Sequence, residues 1–338
     1  MTTRILGANG LNSPNSLTTS AIGLGCMGLS QGYGATDDTE STAAIRAALE
    51  SGVTMFDTAM SYGQGHNERL LGAALAGAAP RDQVRIATKF GIVRGADGVV
   101  LDGNPDHVEG YCEESLRRLG VEYIDLYYLH RVDPRFPVEE TVGAMSRLVD
   151  AGKVRHLGVS EVDAHQLEAA DRTHPVAAVQ LEWSLMWREP ELDVVPTARR
   201  LGIGVVPYSP LGRGLLTATL VDPMSVAESP FRSNDPRFQE HRLEANQQQV
   251  RHLADLARSW GITAAQAALG WLLAQGPDVV PIPGSRRPDR ARENAAAMSS
   301  PLNDAQLAQL ATVVPDDRWV GDRASFAVPV TTRSTVSV

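Results

Sequence analysis

Residues 113–130 read Glu113-Glu114-Ser115-Leu116-Arg117-Arg118-Leu119-Gly120-Val121-Glu122-Tyr123-Ile124-Asp125-Leu126-Tyr127-Tyr128-Leu129-His130. An amphipathic helix runs into a glycine, and a short apolar strand follows. Glycine just past a helix supplies the left-handed residue that ends it. The strand is too apolar for a half-exposed sheet, as parallel strands buried on both faces are. The same order returns at 43–51, Gly52 and 53–57, at 142–151, Gly152 and 155–160, and at 195–201, Gly202 and 204–208. Less regular copies bring the candidate strands to eight: 21–26, 53–57, 84–89, 124–130, 156–160, 177–182, 203–208 and 279–283. Helical stretches at 68–76, 105–119, 138–151, 164–173, 246–260 and 263–275 lie between most of them. Strict alternation means a parallel sheet. Eight strands in 338 residues predict an α/β fold, a closed (β/α)8 TIM barrel, with an open doubly wound sheet as the alternative.

Three segments fall outside the alternation. Residues 1–20 read as an N-terminal β-hairpin turning at Asn9-Gly10. The stretch 211–242 is rich in Pro, Ser, Arg and Asp, and a loop of that length in a compact domain is usually functional or disordered. The tail, 318–338, has no helical period. No linker divides the chain, so 1–338 reads as a single barrel domain.

Composition narrows the function classes. Apolar residues make up 43% of the chain, enough for a sizeable core and too many for a disordered chain. Lys and Arg number 31 against 40 Asp and Glu, a formal charge of −9 with no basic run, which disfavours nucleic acid and anionic membrane as partners. Cys26 and Cys112 cannot build a disulfide framework and lack zinc-site spacing. Residues 1–17 contain no apolar leader, and no apolar run approaches the ~18 residues of a membrane span. The expectation is a soluble cytoplasmic protein acting on a small molecule.

A parallel barrel builds its site from the C-terminal ends of its strands. Here those ends are Gly25-Cys26-Met27, Asp57, Lys89, His130, Ser160, Gln180, Tyr208 and Gly284-Ser285. Asp57, Lys89 and His130 close otherwise apolar runs, where an ionisable group is costly unless paired. On consecutive strands they converge on one mouth. Tyr62, five residues past Asp57, sits in a loop able to return a phenol over it. An ammonium at Lys89 favours the phenolate, so Tyr62 is a candidate general acid for a carbonyl oxygen, with His130 bonding the same oxygen. One His and one Asp make a poor metal set, so no metal is expected. Lys89 as the nucleophile of a Schiff-base aldolase stays open at this point.

These residues and their neighbours resemble the aldo-keto reductases, closest to the bacterial, yeast and plant branch whose histidine motif reads Tyr-Tyr-Leu-His-Arg. The resemblance runs from about Arg4 to Arg323. It rests on Gly23-Leu24-Gly25-Cys26-Met27-Gly28, Phe56-Asp57-Thr58-Ala59 with Tyr62-Gly63, Asn67-Glu68, Ala87-Thr88-Lys89-Phe90 and Asp125 to Arg131. Further on come Gly158-Val159-Ser160, Gln180, Pro207-Tyr208-Ser209-Pro210-Leu211-Gly212, Ile282-Pro283-Gly284-Ser285, Arg290 and Glu293-Asn294. The glycines at 23, 25 and 28 also satisfy a Rossmann pattern, but they run into a loop rather than a helix, which sets that reading aside.

The resemblance implies reduction of an aldehyde or ketone with NADPH. It makes Tyr62 the proton donor, Lys89 the group that depresses its pKa, Asp57 the partner of Lys89 and His130 the residue orienting the carbonyl. Lys89 is then a tuner rather than a nucleophile. Tyr208 would stack on the nicotinamide, and Ser160 and Gln180 would bond its carboxamide, beside Gly25, Cys26 and Met27. Ser209, Leu211, Gly212 and Gly214 fall where the pyrophosphate passes. Gly284, Ser285 and Arg286, with Arg287 and Arg290, suit a 2′-phosphate, and Glu293 and Asn294 would face the adenine. Where the family often has Asn after the serine, this chain has Glu161. After Gly321-Asp322-Arg323, relatives continue with Tyr-Pro, whereas here Ala324-Ser325-Phe326 follow. Met27, Tyr33, Trp183, Met186, Trp187 and Phe231 are the expected substrate wall, apolar and suited to a bulky aryl aldehyde or hydrophobic ketone. Some members of the fold are NADPH-binding regulatory subunits of ion channels with little turnover, which is the alternative function.

Overall fold

The computed structural model describes residues 2–7, 15–95, 98–219 and 226–323. Its centre is a parallel sheet of seven strands in the order β3 (Leu24–Gly25), β4 (Met55–Asp57), β5 (Arg85–Phe90), β8 (Ile124–Leu129), β9 (Val154–Ser160), β10 (Val176–Glu182) and β11 (Gly204–Tyr208). The eighth stave, expected at 279–283, is a bridging segment rather than a continuous strand. Val280 and Ile282 donate backbone hydrogen bonds to Val205 and Pro207 of β11, while Pro281 and Pro283 accept from Gly23 and Gly25. Parallel bridges Val205–Val279 and Gly25–Gly284 join both edges and bring the sheet round to a near-closed (β/α)8 barrel. The two prolines have no N–H to return, so the seam between the eighth stave and β3 carries half a ladder.

Period-two alternation sorts the strand residues. Met55, Ala87, Leu126, Tyr128, Ala178, Val206, Val280 and Ile282 pack together inside the barrel, whereas Phe56, Ile86, Tyr127, Leu129, Val159 and Val179 face the helices. Gly158 makes room for the Tyr128 ring, because a Cβ there would fall 2.4 Å from it. Continued by two residues, the inward parity places Asp57, Lys89, His130, Ser160, Gln180 and Tyr208 at one end of the barrel.

The other end is closed by a hairpin. β1 (Thr3–Leu6) pairs antiparallel with β2 (Leu17–Ser20), Leu6 opposite Leu17, and both leucines join the interior cluster. The Asn9-Gly10 turn lies outside the described residues. Helices Asp38–Glu50, His66–Leu75, Val108–Leu119, Val138–Asp150, Ala164–Thr173, Val194–Leu201, Glu240–Ser259 and Ala264–Ala274 fill the outer layer. The first helix begins ahead of the expected 43–51, because the Asp37 side chain accepts from Glu40 N and caps it at Asp38. Helices Pro288–Ala296 and Asp304–Val313, and a second hairpin of β6 (Ile92–Gly95) and β7 (Gly98–Leu101), are additional. Within 211–242 lie a tight turn at Gly212–Thr217, the one-turn helix Pro230–Ser233, a turn at Pro236–Phe238 and the start of Glu240–Ser259. In the tail the description ends at Arg323, which is buried. Among the described residues no helix is long and apolar enough to cross a membrane.

Leu6 is fully buried at the floor of the barrel. Leu6→Ala is expected to destabilise the protein by about 2–5 kcal/mol, read from the midpoint of urea unfolding, while leaving chemistry at the opposite end intact.

Candidate active site

Lys89 has no solvent exposure. Its ammonium donates to Asp57 Oδ1 at 2.5 Å, to the Thr58 carbonyl at 2.9 Å and to Tyr62 Oη at 3.3 Å. Tyr62 opens a tight turn, Tyr62–Gly65, in which Gly63, Gln64 and Gly65 all take positive φ. That reversal carries the phenol back over Lys89 and edge-on to His130, with ring centroids 5.8 Å apart at 82°. Asn67 and Glu68 support the turn from behind. Thr58 Oγ1 donates to Asn67 Oδ1, and Asn67 Nδ2 donates to the Cys26 carbonyl, which ties the ends of the first two staves together. Thr88 Oγ1 donates to Glu68, whose other oxygen pairs with Arg118 at 2.5 Å.

Electrostatics fix the protonation states. Burial pulls the Lys89 ammonium down, but Asp57 and Tyr62 together hold it above its ordinary value, so it stays charged. Burial pushes the Tyr62 phenol up, and the opposing pull of Lys89 offsets only part of that rise. The expected net depression of Tyr62 is therefore corrected: in the enclosed site desolvation is the larger effect. His130 lies well below the usual imidazole value because of burial, Lys89 and Arg131, and is neutral at physiological pH. A charged Lys89 with three acceptors also removes the ground for a Schiff base, which requires a free amine.

The tetrad opens on a cleft of about 340 Å³. Asp57, Tyr62 and His130 line it, as do Gly25, Met27, Ser160 and Gln180. Tyr208, Ser209, Leu211, Gly214, Gly284, Ser285 and Arg286 form the side after the seventh and eighth staves. Tyr33 and Phe231 close it from above, their rings 5.8 Å apart edge to face. Ser229 Oγ and Phe231 N both donate to the Gly32 carbonyl, which ties residues 229–231 to the loop after the first stave.

Several expected site residues lie elsewhere. Cys26 is fully buried with its thiol toward the Leu24 carbonyl. Trp183, Met186 and Trp187 are buried beneath the loops instead of forming a substrate wall. Trp183 Nε1 donates to Glu191 and packs on Trp271, Trp187 lies under Arg323, and Met186 sits under Gly212, where a Cβ would meet its sulfur at 2.2 Å. Gly212 is accordingly off the cleft. Their apolarity was legible, but strand-end position alone did not say which face they took. Arg290 pairs with Glu293 at 2.5 Å and Asn294 is buried, all on Pro288–Ala296 outside the cleft lining, while Arg287 pairs with Asp289. Gln180 donates one amide N–H to Asp57 Oδ2 at 2.8 Å and lines the cleft.

Of the cleft arginines, sequence reasoning named Arg286 and missed Arg94, Arg131, Arg213 and Arg232. Arg94, Arg131, Arg213, Arg232 and Arg286 line the cleft, and among the described residues Asp57, already paired with Lys89, is its only carboxylate. It also missed the partner of Glu161. This residue takes φ 54°, a conformation that suits the usual Asn better than Glu. Its carboxylate receives both Arg323 terminal nitrogens, at 2.8 and 2.6 Å. Arg323 also donates to Tyr208 Oη at 3.2 Å and lies 3.7 Å from Glu182, which pairs with Arg237 at 2.5 Å.

The sequence model of the aldo/keto reductase family matches residues 21–315. "Probable aldo-keto reductase 1" of Glycine max is 43% identical over 306 residues, 90% of this chain and 88% of that one. Among solved structures, the glycerol dehydrogenase AKR11B4 of Gluconobacter oxydans superposes with a TM-score of 0.82 at 28% identity, covering 97% of this chain and 99% of that one. A Klebsiella pneumoniae aldo/keto reductase in complex with NADP and acetate gives a TM-score of 0.68 at 31% identity, over 89% of this chain and 94% of that one. The barrel, the strand-end tetrad and these similarities define a carbonyl oxidoreductase. The chain belongs to the aldo/keto reductase family.

Removing Arg323 strips the buried Glu161 carboxylate of both its ion-pair bonds, leaving it only the through-space charge of Arg131. Arg323→Ala is expected to cost roughly 3–5 kcal/mol in urea unfolding. The double variant Glu161→Gln, Arg323→Met should lose clearly less than the sum of its single changes.

Proposed function

We propose that the protein reduces an aldehyde or ketone to an alcohol with NADPH, with Tyr62 delivering the proton. The observation that carries this reading is the buried chain Asp57–Lys89–Tyr62, opening on the same cleft as a neutral His130. The cleft suits a phosphorylated dinucleotide. Ser285, Arg286, Arg213 and Arg232 gather donors on one side, next to the flat ring of Tyr208 and the hydroxyl of Ser160. The Klebsiella pneumoniae structures with NADP and with NADPH support the same cofactor. When bound, the reduced nicotinamide supplies the hydride to the carbonyl carbon. Arg286 is the candidate for the 2′-phosphate, since Arg287 and Arg290 each already hold a carboxylate.

Proton delivery follows from donor and acceptor roles. An ammonium only donates, so Tyr62 Oη accepts from Lys89 and its own O–H is left to point into the cleft. A phenol with a raised pKa keeps its proton at neutral pH. As that proton moves to the carbonyl oxygen, the phenolate forms beside a fixed ammonium and is stabilised there without rearrangement. Asp57 and the Thr58 carbonyl hold Lys89 in place, and Gln180 holds Asp57. His130, uncharged, offers an imidazole hydrogen bond to the carbonyl oxygen and does not compete as the acid.

Tyr62→Phe is expected to lower kcat by about 10²–10⁴-fold, while NADPH binding, followed by its fluorescence, is retained. Turnover that persists unchanged in this variant would remove Tyr62 from the mechanism. The pH profile provides a second check. The acid must be protonated, so activity is kept below the Tyr62 pKa, and because that value is raised the alkaline limb lies beyond the usual phenol value of about 10. His130 is active when neutral, so lowering the pH from 8 to 6 produces no loss attributable to it. An acid limb near the ordinary imidazole value of about 6.5 that vanishes in His130→Gln would overturn the neutral assignment.

A further inference from the structure

The arginines of the cleft divide by their place in the barrel. Arg213, Arg232 and Arg286 follow the seventh and eighth staves, where NADPH is proposed to lie. Arg94 and Arg131 follow β5 and β8, the third and fourth staves. In a ring of eight the third and seventh positions are opposed, so Arg94 stands across the mouth from Tyr208, on the side left to the substrate.

Register fixes which way Arg94 points. It lies directly opposite Val99 in the β6–β7 hairpin and two residues from Ile92. Opposed residues share a face, and so do residues two apart. Ile92, Arg94 and Val99 all line the catalytic cleft. Val93 and Val100, on the other face, line a separate groove with Asp102 and His107. Nothing among the described residues neutralises Arg94. Among the same residues Arg131 has no carboxylate within ion-pair distance, though its charge acts on Glu161 through space; its Nη1 donates to the His130 carbonyl at 2.8 Å and to Ser160 Oγ at 3.2 Å, while its buried Nε has no partner. In a chain of net charge −9, the substrate half of the cleft is cationic.

We infer that the substrate is a carbonyl compound carrying a carboxylate remote from the reacting carbon, and that Arg94 is the group that takes it. This rests on the reductase reading above. Remoteness follows from the hairpin: Arg94 lies two residues, roughly 7 Å of strand, beyond Ile92, while the reacting carbon belongs at Tyr62 and His130. A 2-oxo acid holds its carboxylate one bond from that carbon and does not reach. The positive field of Arg131 adds to the attraction near the tetrad. Arg94 thus replaces the expected wall of Trp183, Met186 and Trp187 as the determinant of substrate class.

The test uses 4-formylbenzoate and its neutral methyl ester, larger by one methyl group, with NADPH. In the wild type the acid is expected to show a kcat/KM about tenfold above the ester, mainly through KM, as a charge-assisted hydrogen bond provides. The ratio should shrink as salt is added. In Arg94→Gln it should fall to about one. Calorimetry with the product, 4-(hydroxymethyl)benzoate, gives a readout independent of turnover and should show weaker binding to the variant. Phenylglyoxylate, a 2-oxo acid, should be indifferent to Arg94→Gln. A wild-type ratio of one, or a ratio unchanged in the variant, overturns the inference while the ester's turnover still upholds the reductase. If neither aldehyde is reduced, both readings fall together.

Discussion

A lysine ammonium with no access to water governs the architecture of the site. It is stable only if a carboxylate and further acceptors meet it inside the barrel, and the sequence meets that demand from one neighbouring stave and its loop. Asp57 supplies the charge, Thr58 the carbonyl and Tyr62 the third acceptor. Asp57 in turn needs a second donor, which Gln180 brings from β10, across the barrel. With Lys89 fixed by Asp57 and the Thr58 carbonyl, and Asp57 fixed by Gln180, the ammonium has a set position beneath the phenol. The same closeness works against desolvation: burial makes the phenolate costly, and the fixed ammonium lowers that cost at the moment of proton transfer.

Much of this was legible in the sequence, for a physical reason. A parallel barrel buries its strands on both faces, so a charged residue ending an apolar run is conspicuous, and Asp57, Lys89 and His130 announced themselves. Alternation then placed them, Ser160 and Tyr208 on one inner surface. What could not be read was the fate of residues just beyond the strands. Trp183, Met186 and Trp187 have the chemistry of a binding wall, yet loop packing turns them inward. The sign of the Tyr62 shift was likewise hidden, since it depends on how completely the mouth is enclosed. The second hairpin did leave a signal: the glycine-bounded stretch Gly95-Ala96-Asp97-Gly98 lies between the strand formers Ile92-Val93 and Val99-Val100. Read that way, Arg94 falls on the face of Ile92.

The departure at Glu161 shows how a local change is absorbed. Glutamate is a poor occupant of a left-handed position, and an unpaired carboxylate there would be buried beside Glu182. Arg323, 162 residues further along the chain, satisfies both and touches Tyr208. Arg323, the last described residue, is therefore joined to the ring that forms one side of the cleft.

The half-ladder at Pro281 and Pro283 bears on how the molecule comes into being. The first and eighth staves meet through Gly25 and Gly284, a pairing between the two ends of the barrel sequence. Arg4 fastens the same seam from below, its guanidinium donating to the carbonyls of Leu273, Gly276 and Val279. During synthesis the growing chain can lay down seven staves in turn, each beside its predecessor. It cannot join the ring until the eighth has emerged, and the hairpin made first must wait for a partner made almost last. Barrel closure is thus a late event of high contact order. Until then the interior leucines of the hairpin and the exposed edges of the first and seventh staves are the surfaces a nascent chain must keep apart from other chains.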